Sequence, residues 1–275
     1  MTPGRSTADQ QRELCLLLDL GSSRSKWLLL AAGQQLADAD LCAGTVAELR
    51  ADLQARLAAG WRMHSAVGIC VASADQRNTI SAMLRAEFAL SVQWLRTRAR
   101  VGDLLCGYPD PQQLGVDRWA GLAGARALYP REHVVVADCG TATTVDFLRA
   151  DGQHQGGWIS PGVGDSLQLL LRRLQHLPAL ADCSSDALLA QAADAASLAG
   201  TDTRSALVQG VLHSQAGIIA HARAMALDSG WRSCRVVLTG GDAQRLLPLP
   251  GIAAEWQPRL LFIGMQWLPL QAAQT

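Results

Sequence analysis

Lysine is nearly missing from this chain. The 24 basic residues balance 24 acidic ones, and of the basic residues only Lys26 is lysine, the others being arginine. With a formal net charge of +0 there is no basic excess, which argues against a dedicated nucleic-acid binder. No two of the seven cysteines (Cys15, Cys42, Cys70, Cys106, Cys139, Cys183 and Cys234) have C-x-x-C spacing. Their number is odd and most sit in apolar runs, so free thiols in a reducing compartment are expected, with no zinc site. The six histidines show no metal spacing either. Residues Met1 to Gln11 lack the apolar stretch of a signal peptide, and no apolar run reaches membrane-spanning length. A soluble, cytoplasmic protein with no membrane association is expected. Two nucleotide signatures are also absent: no G-x-x-x-x-G-K-[ST], and no G-x-G-x-x-G after a strand.

What is present is a well-supplied core. The chain has 275 residues, 49% hydrophobic and 17% charged, which excludes an intrinsically disordered chain and suits two domains. Apolar runs at Leu14 to Leu18 and Lys26 to Ala32 read as two strands around a tight polar turn. Helical spacing runs from Thr45 to Gly60, a buried strand from Ala66 to Ala72, and a helix from Asn78 to Phe88. Cys106 to Leu114 reads as loop and Asp117 to Leu128 as a helix rich in Ala, Gly and Leu. A Val-rich strand at His133 to Ala137 is resumed at Val145 to Leu148. Gly156 to Gly164 reads as a glycine-rich loop, followed by helices from Ser166 to Leu174 and from Ser205 to Met225. A short strand at Val236 to Leu238 runs into Thr239-Gly240-Gly241.

Two of these units repeat. Leu16-Leu17-Leu18-Asp19-Leu20-Gly21-Ser22 resembles Val135-Val136-Ala137-Asp138-Cys139-Gly140-Thr141. Each is an apolar strand, then Asp-x-Gly-hydroxyl, then more β-prone residues, at an interval of about half the chain. That predicts two related α/β domains whose turns face one cleft. Such turns present backbone N–H groups and hydroxyls, and glycine lets the backbone approach a ligand closely; these are properties of phosphate cradles. As an ordinary turn the first copy would mean little; two copies and a third glycine turn mean more. Lys26, across the first turn, offers a compact charge for a β- or γ-phosphate that a guanidinium does not replace.

Three motifs then resemble the type III pantothenate kinases, within the superfamily of acetate and sugar kinases, chaperone ATPases and actin. They are Asp19-Leu-Gly-Ser-Ser-Arg-Ser-Lys26; Tyr108-x-x-Pro111-x-x-Leu114-Gly115-Val-Asp117-Arg118-Trp119; and Asp138-x-Gly-Thr-Ala-Thr-Thr-x-Asp146 with Gly156-Gly157-x-Ile159-x-Pro161-Gly162. Thr203-x-x-Ala206-x-x-x-Gly210 and Leu238-Thr239-Gly240-Gly241 extend the resemblance. The first motif carries Ser22 where the family usually has Asn, a shorter donor and acceptor.

The resemblance implies an α/β fold of two actin-like, ribonuclease H-like domains with a nucleotide cleft between them. A polar tail (1–12) would precede a first domain (13–115) and a second (116–275), with the C-terminal helix able to pack back on the first. It implies ATP-dependent phosphorylation of pantothenate to 4′-phosphopantothenate, in a homodimer whose substrate pocket lies by the interface. Asp117 would be the general base, the local alternative being an N-cap. Tyr108, Gly115, Val116, Arg118 and Thr203 would bind pantothenate. Asp19, Leu20, Gly21, Ser22, Ser23, Arg24, Ser25, Lys26, Thr141, Gly240 and Gly241 would bind ATP, with Asp19 reaching Mg²⁺ through water. Asp138 would hold a monovalent cation, K⁺ or NH₄⁺. Left open are a weak or inactive regulatory member, like the family's Bvg accessory factors, and a kinase of another small alcohol.

Overall fold

The computed structural model describes residues 13–21, 24–31, 33–36, 39–180, 182–191 and 199–272. The predicted tail 1–12, and Ser22 and Ser23 of the first turn, lie outside the described residues. Contacts group the chain into two compact units. One takes the described residues up to Gly102, Tyr108–Ala127 and those from Arg259 on; the other takes Asp103–Gly107 and Leu128–Pro258. This grouping and a division at 115/116 differ over Asp103–Gly107 and over the helix that follows Gly115.

The first unit is built on β1 (Glu13–Leu20), β2 (Ser25–Ala31), β3 (Cys42–Gly44), β4 (Arg62–Cys70) and β5 (Val92–Trp94), in the order β3-β2-β1-β4-β5. β1 runs antiparallel to β2 and parallel to β4, and β4 parallel to β5. β1 is almost wholly apolar because it is central and covered on both faces. Helices α1 (Val46–Ala58) and α2 (Ala74–Phe88) start at capping boxes, Thr45 with Glu48 and Ser73 with Gln76. The Ser73 box explains why α2 begins before Asn78. Leu49, Leu53, Ile80 and Leu84 from these helices close the core over Leu16, Leu18 and Leu20.

Helix α3 (Val116–Leu128) belongs to the same unit, and α8 (Leu260–Ala272) packs against β1 and β4. α3 and α8 cross closely enough that a Cβ on Gly124 would collide with the Leu260 carbonyl, and one on Gly264 with the Ala120 carbonyl. The Ala and Gly content of α3 is therefore a packing requirement, which spacing alone does not reveal.

The second unit repeats the topology: β6 (Val134–Cys139), β7 (Ala142–Leu148), β8 (His154–Pro161), β9 (Arg235–Thr239) and β10 (Glu255–Trp256), in the order β8-β7-β6-β9-β10. β6 runs antiparallel to β7 and parallel to β9. Two five-stranded sheets of one order make the fold the duplicated actin-like, ribonuclease H-like α/β architecture that the resemblance implied. Helices α4 (Val163–Arg173), α5 (Ser185–Gln191), α6 (Thr203–Asp228) and α7 (Ala243–Leu246) complete the unit. Val163, Leu167, Leu212 and Ile219 pack on Val135, Ala137 and Val145.

One expectation is corrected here. Gly156 and Gly157 lie in a strand, not a loop: β8 is an edge strand whose register shifts between His154 and Gly157. Gly156, with φ +97°, permits the bulge, a role of glycine in strands that composition hides.

Candidate active site

The β1–β2 turn carries the first of the predicted site residues. Asp19 is buried, and the antiparallel register sets it directly opposite Lys26, with Leu20 opposite Ser25. Opposed residues of an antiparallel pair share a face, so the carboxylate and the only ammonium side chain are neighbours. The Leu20 carbonyl accepts from Val71 N and Ala72 N at 3.0 and 3.3 Å, which ties the turn to the end of β4. Gly21 has no room for a side chain, since a Cβ would lie 2.9 Å from the Arg24 carbonyl. Lys26 is half-buried and Arg24 exposed.

At the head of α3 a second group forms within the same unit. Arg118 is buried, and its Nη1 donates to Tyr108 Oη at 3.0 Å, with the guanidinium 5.6 Å from the Tyr108 ring centre. The half-buried Asp117 carboxylate accepts from Arg118 N at 2.8 Å. Trp119 N donates to Gly115 O at 3.0 Å, and Val116 is the first helical residue. Asp117 is therefore inside the first turn rather than at the N-cap, where its charge also suits the helix dipole. A Cβ on Gly115 would lie 2.5 Å from Asp117 Oδ1, so glycine there keeps the carboxylate uncrowded.

In the second unit the β6–β7 turn carries Asp138 and Thr141. Thr239 pairs with Asp138, and Gly240 follows at φ +89°. A Cβ on Gly240 would meet the Cys139 carbonyl and lie 2.5 Å from Asp138 Oδ1. The Gly-Gly turn is thus folded against the second Asp turn, and Asp242 N donates to Cys139 O at 2.9 Å. Gly162 N donates to the carbonyl of the exposed Thr141 at 2.9 Å, and α4 opens from Gly162 without a side-chain cap. Helix N–H groups beside hydroxyls and glycine turns make an arrangement suited to phosphate oxygens. Burial raises the Cys139 thiol far above its usual range, aided by Asp138 and Asp242, so it stays protonated and is no nucleophile. Burial also raises the Asp242 carboxyl, with Arg245 opposing.

The structure thus forms three local groups: in the first unit Asp19, Leu20, Gly21, Ser25 and Lys26, and Tyr108, Gly115, Val116, Asp117 and Arg118; in the second unit Asp138, Thr141, Gly240 and, beside it, Gly241. Thr203 stands exposed as the first residue of α6, next to the Asp202–Ser205 capping box and to Arg204, whose Nε donates to the Ala179 carbonyl at 2.7 Å.

The type III pantothenate kinase family model matches residues 15–224. The chain belongs to that family. A type III pantothenate kinase from Burkholderia ambifaria is 39% identical over 239 residues, covering 86% of this chain and 89% of the relative. One from Herminiimonas arsenicoxydans is 34% identical over 272 residues, 95% of this chain and all of the relative. The crystal structure of a protein described as a Baf family transcriptional activator from Campylobacter jejuni superposes with a TM-score of 0.52 at 20% identity, over 94% of this chain and 100% of that one. The ethanolamine utilization protein EutJ from Carboxydothermus hydrogenoformans gives 0.52 at 14%, over 92% and 89%. Those two likenesses concern the fold alone.

Sequence reasoning passed over one buried pair. His154 is wholly buried on β8, and its Nε2 lies 2.9 Å from Asp146 Oδ1 on β7. Its Nδ1 accepts from Gly107 N at 3.3 Å, which makes Nε2 the protonated nitrogen, donating to the carboxylate. Asp146 closes the third motif, and a histidine on the adjoining strand was the available signal. Among the described residues, no helix is long and apolar enough to cross a membrane.

Proposed function

We propose that this protein transfers the γ-phosphoryl group of ATP to the primary hydroxyl of pantothenate, giving ADP and 4′-phosphopantothenate, the first step of coenzyme A synthesis. The observation that carries this reading is the group at the head of α3. A buried guanidinium held against Tyr108 stands beside a half-buried carboxylate in a chain of the pantothenate kinase family.

Phosphoryl transfer passes through a loose transition state, so positioning and charge matter more than a pre-formed alkoxide. Asp117 orients the acceptor hydroxyl and takes its proton late. Arg118 offers its fork to the pantothenate carboxylate or to the moving phosphoryl group. Tyr108, Gly115, Val116 and Thr203 complete the acceptor site. Lys26 meets the β- and γ-phosphate oxygens, Leu20 to Ser25 supply the turn around them, and Thr141 contacts them from the second turn. Gly240 and Gly241 leave room for the adenosine and the α-phosphate.

Among the described residues no group of three or more His, Cys, Asp or Glu side chains converges on a metal position. Mg²⁺ bound mainly by phosphates and water needs only one or two carboxylates, and Asp19 fits that part. When bound, it supplies charge neutralisation on the phosphates. Asp138, whose carboxylate lies where a Gly240 side chain would intrude, fits a monovalent cation, K⁺ or NH₄⁺.

A homodimer is supported by the second unit. A groove of about 330 Å³ is lined by Ser166, Leu169, Leu170, Leu207, Gly210 and Ser214, and Leu169 is half exposed. A second copy would cover it near the start of α6, where Thr203 stands. A cytoplasmic enzyme of coenzyme A synthesis fits this reading. The deciding experiment is a coupled ADP-release assay with millimolar ATP and Mg²⁺, with and without pantothenate and K⁺. Pantothenate-dependent ADP formation is expected. Nucleotide binding without turnover would favour the regulatory reading, and turnover with another alcohol would reassign the acceptor.

A further inference from the structure

We propose that Thr97 is a positioning residue for Asp117, a proposal that rests on the reading of Asp117 as the base. Thr97 lies in the extended segment after β5, seventeen residues before Leu114 and outside every motif quoted above. Its hydroxyl Oγ1 donates to the Leu114 carbonyl at 2.8 Å. Leu114 is buried, and its peptide leads straight into Gly115-Val116-Asp117. Backbone hydrogen bonds flank it on both sides. On its N-terminal side a single 3₁₀ turn, Pro111–Gln113, ends with Leu114 N donating to Pro111 O at 3.2 Å. On its C-terminal side helix bonding begins only with Trp119 N to Gly115 O.

Thr97 itself rests on the central sheet. Leu95 N donates to Gly68 O on β4 at 2.8 Å. Gly68 carries no side chain because Trp94 lies where a Cβ would go, and Trp94 Nε1 donates to Ser81 Oγ on α2 at 3.1 Å. A continuous path of hydrogen bonds and packing therefore runs from β4 through Trp94, Leu95 and Thr97 to the carbonyl before Gly115. Through it the rigid sheet sets where the turn, and with it the Asp117 carboxylate, stands.

A hydroxyl bound to a backbone carbonyl can be removed with little change of shape. Thr97→Val keeps the branched side chain and deletes the donor, whereas Thr97→Ser keeps the donor and deletes the methyl group. The test measures kcat, and KM for ATP and for pantothenate, in wild type and both variants, alongside melting temperature and hydrogen exchange of the amides from Gly115 to Leu122 without substrate. A displacement of the base near 1 Å costs up to about 10²-fold in rate, so Thr97→Val should lower kcat by at least about tenfold. KM for ATP should stay within about twofold, and Thr97→Ser should recover most of the rate, since the hydrogen bond and not the methyl group sets the position. Exchange at the start of α3 should quicken in the Val variant alone.

A Val variant with wild-type kcat overturns the proposal. So does one whose melting temperature and ATP affinity collapse together without recovery in Ser, because the bond would then be generally structural. If wild type itself forms no ADP with pantothenate, the reading of Asp117 as base fails instead. The exchange comparison uses no substrate and still decides whether Thr97 holds the turn.

Discussion

The two Asp turns stand at the same place in the same strand order, yet their surroundings differ. In the first unit the residue opposite Asp19 is Lys26; in the second, the residue opposite Asp138 is Thr144. A built-in ammonium faces one carboxylate, and a hydroxyl side chain faces the other. The second turn is instead crowded by glycine, with Gly240 against Asp138 and Gly162 against Thr141. Duplication kept the backbone that aims a turn, while the chemistry diverged in the side chain across the hairpin. Under the proposed function, the first turn serves phosphates and Mg²⁺ and the second a monovalent cation.

The largest effect is expected outside both turns. Asp117→Asn keeps the size and a carbonyl oxygen for Arg118 N but removes the proton acceptor. Turnover should fall by about 10²–10⁴, the usual contribution of a positioned base, with melting temperature and ATP binding held. A variant with wild-type turnover would return Asp117 to a helix-terminal role.

Next comes Asp138→Ala, which should remove most turnover and level the rates in Na⁺ and K⁺ buffers. Wild type should run faster in K⁺ or NH₄⁺ than in Na⁺; equal wild-type rates would break the contrast between the turns. Lys26→Arg should have a smaller effect but still more than a twofold loss, since a planar fork does not place its charge where an ammonium does. Activity within about twofold of wild type would make Lys26 an ordinary strand residue.

The smallest effect concerns stability in the second unit. Tyr129 Oη donates to Glu255 Oε1 at 2.7 Å, and burial, with that carboxylate, pushes its pKa up to about 12. The neutral phenol is favoured by folding, so its contribution is complete below the unfolded value near 10 and is lost as pH rises towards 12. Chemical denaturation between those pH values should show Tyr129→Phe losing stability with pH less steeply than wild type. Parallel slopes would show that the hydrogen bond contributes nothing there.

The fold was legible because its signals are local and repeated. Apolar strands ending in Asp-x-Gly occur twice, whereas the Ser73 capping box that starts α2 was not read. The acceptor group was legible as a motif, because Tyr108 and Arg118 are close enough in sequence for one pattern to hold both. Other features depend on partners that no spacing reveals. The Gly156 bulge and the His154–Asp146 pair depend on how β7 and β8 pair, and the bond from Thr97 to Leu114 joins two loop residues that only the folded chain brings together. Gly124 and Gly264 are contact points of two crossing helices.

That crossing has a consequence for synthesis. The helix bearing Asp117 is seated on α8, which leaves the ribosome last among the described elements, about half a chain after its partner. Residues 128–258, by contrast, form an unbroken stretch and can collapse on themselves while the chain is still growing. The first unit must hold an apolar face of β1 and β4 open until α8 arrives, and loop closure over so long a separation is slow. The helix that carries Asp117 therefore gains its full packing only once α8 has emerged.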